Sequence, residues 1–245
     1  MVWRSAARTH VGTVRRRNED AVLERAEIGL WAVADGAGGH ERGDYASSRI
    51  IAALRETDAA LSGLSLIEEV KGHLAEVNSE LRAKAAAIGS NALIGSTVAV
   101  LLISDGESCC LWAGDSRLYR MRAGKLHQLS RDQSHVQDLV DRGEIAPAAA
   151  AAHPLSNIVT NLIGAFDQLI LEERRDRLER GDILLLCSDG LSSALGDADI
   201  TDILAGFTCA AAADRLIERA LEQGARDNVS AVVVEYGPSL SEPVG

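Results

Sequence analysis

Residues 29–40 read GLWAVADGAGGH, and a near twin stands far downstream at residues 182–190, DILLLCSDG. Each is a short apolar run that stops on Asp-Gly: Ala32, Val33 and Ala34 before Asp35-Gly36, and Leu184, Leu185, Leu186, Cys187 and Ser188 before Asp189-Gly190. Runs this short, ended by Gly, fit interior strands better than helices, and the Gly lets the backbone turn tightly. The pattern predicts two buried strands, each delivering one carboxylate at its end. Asp-Gly is also the commonest hairpin signal, so taken alone each aspartate reads sooner as a plain turn residue. Asp105-Gly106 shows that plain case, with Ser104 before it and Glu107-Ser108 after it. The two readings are separated by the residues that accompany the carboxylates.

At 245 residues and 47% hydrophobic composition, the chain can bury one sizeable core, and residues 1–237 read as a single domain. The formal net charge of −11 argues against nucleic acid or an anionic membrane as a partner. No apolar run reaches membrane-spanning length, since the longest, residues 92–103, is interrupted by Gly95, Ser96 and Thr97. The first ten residues, MVWRSAARTH, lack the apolar centre of a signal peptide, and a cytoplasmic protein is expected. Cys109, Cys110, Cys187 and Cys209 show no metal-ligand spacing and read as reduced core residues. Aromatic residues make up only 3%, so the core must be built from Leu, Ile, Val and Ala.

In chain order, a first strand is expected over residues 4–14, followed by the charged junction RRRNED at 15–20. That junction is either a solvated turn or an anion-binding guanidinium set beside metal-binding oxygens. Helical spacing runs over 44–61 and 66–87, the second with Ile67, Val70, Leu74, Val77 and Leu81 on one stripe. Strands are expected at 97–103, 108–113, 117–122 and 125–129, joined as one meander by the turns Asp105-Gly106 and Ala123-Gly124. Residues 131–165 break the regularity and read as a binding loop or flap. Strands at 169–173, 183–187 and 229–236 and helices at 198–205 and 210–223 complete the chain. The tail, 238–245, is expected to be disordered. The whole reads as stacked antiparallel sheets with helices outside.

Glu19, Asp20, Asp35, Asp115, Asp189 and Asp227 fall at strand ends or adjoining turns, most beside a Gly or Asn. Converging at one edge of a sandwich, they would repel one another, raising their pKa values and costing stability. Two or three divalent cations would reverse the sign of that interaction, and an all-carboxylate set suits Mg²⁺ or Mn²⁺ better than Zn²⁺.

Eight ordered segments, RRRNED (15–20), VADGAGGH (33–40), GSTVAVLL (95–102), AGDSRLYR (113–120), SRDQSHVQDLVDRGEI (130–145), HPLSNIVTNLIG (153–164), CSDGLS (187–192) and ARDNVSAVVVE (225–235), carry a resemblance. They resemble the bacterial PPM, or type 2C, metal-dependent protein serine/threonine phosphatases along nearly the whole chain. The resemblance implies an α+β fold, a four-layer sandwich of two antiparallel β-sheets flanked by helix pairs, with a binuclear Mn²⁺ or Mg²⁺ centre and a third, weaker ion. It implies that Asp35 bridges two ions with the Gly36 carbonyl, that Asp189 and Asp227 ligate one, and that Glu19 and Asp20 serve the pair directly or through water. Asp115 with Asp189 would take the third ion, Arg15 would bind phosphate, and Asn228 would support Asp227. A water held between the ions would attack a phosphoserine or phosphothreonine monoester directly.

The position two after Asp35, His in many relatives and usually Met in bacterial ones, holds Ala37, so a general acid there is absent. His40 is the nearest substitute, with a solvent-facing helix start as its alternative reading. His153 is expected to order the flap. The implied enzyme is a stand-alone, monomeric phosphatase acting on a Ser/Thr kinase or its target, with some relatives linked to type VI secretion. A phosphoprotein-binding pseudophosphatase and a phosphatase for small metabolites remain as alternatives, the first disfavoured by the presence of Asp35, Asp189 and Asp227.

Overall fold

The computed structural model describes residues 3–37, 42–150 and 152–237; His40 and the tail at 238–245 lie outside the described residues. One sheet has the order β1 (Trp3–His10), β11 (Val229–Tyr236), β10 (Ile183–Cys187), β7 (Arg117–Arg122), β8 (Lys125–Gln128). The other runs β2 (Asp20–Arg25), β3 (Leu30–Ala37), β5 (Val98–Ser104), β6 (Glu107–Ala113), β9 (Glu172–Arg177), with the two-residue β4 (Gly95–Ser96) paired to the end of β3. Every pairing is antiparallel.

Because successive strand side chains point to opposite faces, each central strand serves two cores. On β3, Leu30, Ala32 and Ala34 pack against α1 (Gly43–Arg55) and α2 (Gly63–Ile88), while Trp31 and Val33 face the other sheet. On β10, Leu184 and Leu186 join that inter-sheet core, and Leu185 and Cys187 pack under α4 (Asp189–Ala194), α5 (Asp197–Gly206) and α6 (Cys209–Glu222). Burial on both faces explains why these strands read as unbroken apolar runs rather than alternating ones. The expected four-layer sandwich is therefore the architecture found.

The expected single meander is not found. Strands β5 and β6 form a hairpin in one sheet, and β7 and β8 form a hairpin in the other. Residues 114–116 cross between the sheets, with Gly114 at φ 104°, so Asp115 is delivered at the edge of both. The expected strand at 169–173 lies at Glu172–Arg177 instead, where a charged sequence pairs along β6; cross-strand bonding outweighs the apolar pattern there. The first strand stops at His10, short of residue 14. The junction at 15–20 runs into strand β2, which its charge concealed, and α3 (His135–Asp141) forms inside the flap, capped by the Ser134 hydroxyl accepting from the Gln137 N–H. Among the described residues no helix is long and apolar enough to cross a membrane.

The inter-sheet core should carry much of the stability. Leu186→Ala, at a fully buried position, should cost about 2–5 kcal/mol in urea denaturation, whereas Phe207→Ala, half exposed at 50%, should stay within about 0.5–1 kcal/mol. Equal losses would contradict this layering.

Candidate functional site

Asp20 and Asp35 stand directly opposite one another on the neighbouring strands β2 and β3. Asp20 shares its parity with Val22, and Asp35 shares its own with Trp31 and Val33, so both point towards the inter-sheet side where that core ends. Like charges facing across a ladder destabilise it. Around them the chain has assembled hydroxyls. The hydroxyls of Ser188 and Ser230, on or beside the facing strands, donate to Asp20 Oδ2 at 2.7 and 2.6 Å. Asp20 Oδ1 is buried with no hydrogen-bond partner.

Asp35 is fixed through its backbone. Its N–H donates to Thr97 Oγ1 at 3.2 Å, and its carbonyl accepts from the Thr97 N–H at 2.9 Å and from Ser96 Oγ at 2.8 Å. Thr97 Oγ1 also meets Ser116 Oγ at 2.7 Å, linking this strand end to the crossover that carries Asp115. Gly36 leaves no room for a side chain: a Cβ there would lie 2.1 Å from the Gly43 carbonyl oxygen. The start of α1 thus packs on the backbone that follows Asp35.

Asp189 opens α4, immediately after Ser188. Gly190 is equally constrained, since a Cβ would lie 2.0 Å from the Asn228 carbonyl oxygen. Asn228 stitches the N-terminal junction in place: its side-chain amide donates to the carbonyls of Val11 and Arg17 at 3.0 and 2.9 Å, and its Oδ1 accepts from the Glu19 N–H at 2.8 Å. Its backbone N–H donates to Asp227 Oδ1 at 2.9 Å. The amide therefore orders the 11–19 loop, and Asn228 meets Asp227 through its main chain. Arg15 Nη2 donates to Asp227 Oδ2 at 2.7 Å, so the guanidinium and this carboxylate form an ion pair at the mouth of the site.

The cluster is electrostatically unfavourable by itself. Burial pushes the Asp20 carboxyl up to about 7, against the opposing effect of its two serine bonds. Burial, then the charges of Asp189 and Asp132, push Asp115 up to about 7. Asp35 is raised well above the carboxylate range by loss of water and then by Asp20, Asp189 and Asp115. Asp189 is raised by burial and by Asp227, and Glu19 by burial and by Asp44. These are the groups whose convergence the sequence pattern predicts.

Among the described residues, no three His, Cys, Asp or Glu side chains already form a closed ligand set. The chemistry nevertheless fits a hard divalent cation: the donors are all oxygen, they repel one another, and Asp20 Oδ1 is an orphaned acceptor inside the protein. The cysteines offer no competing chemistry, because burial raises Cys109 and Cys209 to about 11 and Cys110 and Cys187 to about 12.

Two clefts open on the cluster. One, of about 650 Å³, is lined by Arg15, Asp189, Asp227 and Arg226, and a second, of about 500 Å³, by Asp115, Asp132, Ser134 and Asp189. Asp189, Ser193 and the flap residue Asn157 border both. The flap is anchored at its base: Asp132 takes a bidentate pair from Arg117 at 2.7–3.0 Å, and Gln133 exchanges two bonds with the Gly114 backbone. His153 Nδ1 accepts from the Leu155 N–H at 3.2 Å, a bond internal to the flap.

Ser188, Ser230, Thr97 and the Arg117–Asp132 pair are site residues that the sequence pattern does not predict. Ser230 did leave a signal, a hydroxyl on the inter-sheet face of an otherwise apolar strand.

A family profile described as Protein phosphatase 2C matches residues 9–231. Over its whole length the chain is 36% identical to the serine/threonine protein phosphatase PstP of Mycobacterium tuberculosis, and spans about half, 48%, of that relative. Its structure is similar to that of PppA, a key regulatory component of T6SS in Pseudomonas aeruginosa, with a TM-score of 0.89 and 42% identity over 96% of this chain and 98% of that one. It is also similar to the catalytic domain of PstP in complex with two manganese ions, with a TM-score of 0.85 and 35% identity over 95% and 97% of the two chains. Since the family match runs from the first strand of the fold into the last, the chain belongs to the protein phosphatase 2C family.

Proposed function

We propose that the protein is a divalent-metal-dependent phosphatase that hydrolyses phosphoserine and phosphothreonine in proteins, opposing a Ser/Thr kinase. The observation that carries this is the opposed Asp20–Asp35 pair, with its orphaned oxygen, coupled by charge to Asp189 and Asp227, which line a cleft that holds an arginine. In this reading Asp35, Asp189, Asp227, the Gly36 carbonyl, Asp20 and Glu19 would hold two ions, and Asp115 with Asp189 a third. Manganese is the first candidate, supported by the two ions in the PstP catalytic domain. The likeness to PppA supports a place in type VI secretion, and four buried, unpaired cysteines support a cytoplasmic setting.

When bound, such ions supply neutralisation of phosphoryl oxygens and a lowered pKa for attacking water. The chain's own contributions follow from its geometry. Ser188 and Ser230 tie down one oxygen of Asp20 and leave the other for a cation. Arg15, held by Asp227 at the cleft mouth, offers its fork to an incoming phosphate, whose dianion competes with the carboxylate for it. Ala37 offers no proton, so protonation of the leaving alkoxide is not assigned to that position.

Purified protein should release phosphate from a phosphothreonine peptide and from p-nitrophenyl phosphate with Mn²⁺ or Mg²⁺ and lose that activity in EDTA. Asp35→Asn should lower kcat by about a hundredfold or more while the circular dichroism is retained. Arg15→Ala should raise KM for the peptide by about ten- to a hundredfold, the worth of a charged hydrogen bond. Retained turnover in Asp35→Asn would overturn the metal assignment.

The raised carboxyls also predict how stability depends on pH. Asp20 and Asp115 titrate near 7 in the folded chain and near 4 when unfolded, so between those values the folded state binds more protons. In EDTA, Tm should therefore fall as pH rises from about 4 to about 7. Mn²⁺ should restore it at pH 7.5, and Asp20→Asn should flatten the profile. A Tm that rises with pH in EDTA would contradict the cluster's electrostatics.

A further inference from the structure

The wall of the larger cleft carries an arginine that the reaction above does not use. Arg226 is exposed, lines the same cleft as Arg15, Asp189 and Asp227, and makes no hydrogen bond or ion pair among the described residues. Arg15, by contrast, is engaged by Asp227 at 2.7 Å.

The backbone beneath Arg226 is fixed. Thr13 donates to the Ala225 carbonyl through both its N–H and its hydroxyl, each at 2.9 Å. Gly12, at φ 78°, packs so tightly that a Cβ would lie 1.9 Å from the Asp227 carbonyl oxygen. On the other side, the Ala225 N–H donates to the Ala220 carbonyl near the end of α6. The loop bearing Arg15 and the loop bearing Arg226 are thus one stitched rim, and only the side chain of Arg226 is left to move. With the backbone already fixed, the ordering cost of binding is confined to that one side chain.

The overall field of the chain opposes anionic partners, since its formal net charge is −11. An exposed arginine inside the cleft, unpaired among the described residues, is a local exception. Its planar fork suits carboxylate and phosphate oxygens. We propose that Arg226 is a specificity-determining residue that selects phosphoprotein segments carrying a second anionic group, a carboxylate or a second phosphate, within a few residues of the phosphorylated serine or threonine. This rests on the phosphatase reading and adds a preference to it. Because Arg226 is not among the groups assigned to the ions or to the reacting phosphate, the contact acts on substrate capture, and it weakens as salt screens it.

The test is a set of phosphothreonine peptides identical except for one flanking residue, which is Ala, Glu, Lys or a non-hydrolysable phosphonate, placed two to four positions to either side. The unaltered protein should favour Glu or phosphonate over Ala by about three- to tenfold in kcat/KM at low salt, mainly through KM, and disfavour Lys. The preference should shrink in 0.5 M NaCl, disappear in Arg226→Ala and invert towards Lys in Arg226→Glu. A larger gain for phosphonate than for Glu identifies a second phosphate as the group selected, and equal or larger gain for Glu identifies a carboxylate. Equal rates on all peptides, or an unchanged preference in Arg226→Glu with unaltered Tm, would overturn the proposal. Turnover of p-nitrophenyl phosphate by the unaltered protein separates the two levels: turnover without discrimination removes only the role of Arg226, whereas no turnover of any substrate with any metal removes both.

Discussion

Two carboxylates facing each other across a β-ladder are the constraint around which this structure is arranged. The register of β2 against β3 sets Asp20 opposite Asp35, where repulsion works against the pairing that the remaining residues of both strands favour. The fold tolerates the pair because it surrounds it. Ser188 and Ser230 approach from the facing sheet, Ser96 and Thr97 from the neighbouring strand, and Asn228 locks the loop that leads into Asp20. Each of these groups holds the carboxylates in place without neutralising them. Neutralisation is left to something that binds, which is why the cluster is read as a cation site.

The layering explains how so much polarity sits at the edge of an apolar sandwich. Strand parity sends alternate residues into the helix-covered cores and into the inter-sheet core, and the carboxylates continue the inter-sheet parity beyond its last apolar residue. Close backbone approaches at Gly36, Gly190 and Gly12 bring the strand ends and loops within reach of one another. A larger residue at any of these would separate elements that must meet for the site to form.

Much of this was legible in the sequence. The apolar runs ending at Asp35 and Asp189 identified strands buried on both faces, and the strand at 183–187 and the last strand at 229–236 were placed to the residue. The convergence of Asp20, Asp35, Asp115 and Asp189 followed from their shared position at strand ends. What was not legible depended on pairing between distant segments. A hairpin signal marks a turn but not the sheet it belongs to, so the two hairpins at 98–113 and 117–128 merged into one meander. Strand β2 was hidden because its three apolar residues, 21–23, are enclosed by charged ones on both sides, and β9 because its sequence, EERRDR, is polar throughout. The supporting serines carry no motif of their own; only the two-face parity of their strands exposes them.

The most direct test of the central claim is a count of bound ions. Equilibrium dialysis of the unaltered protein and of Asp35→Asn against Mn²⁺ near neutral pH measures it without reference to any substrate. The unaltered protein should bind at least two Mn²⁺ per chain, and Asp35→Asn should lose that binding with the fold retained. No binding in the unaltered protein, or the same count in Asp35→Asn, would contradict the central claim.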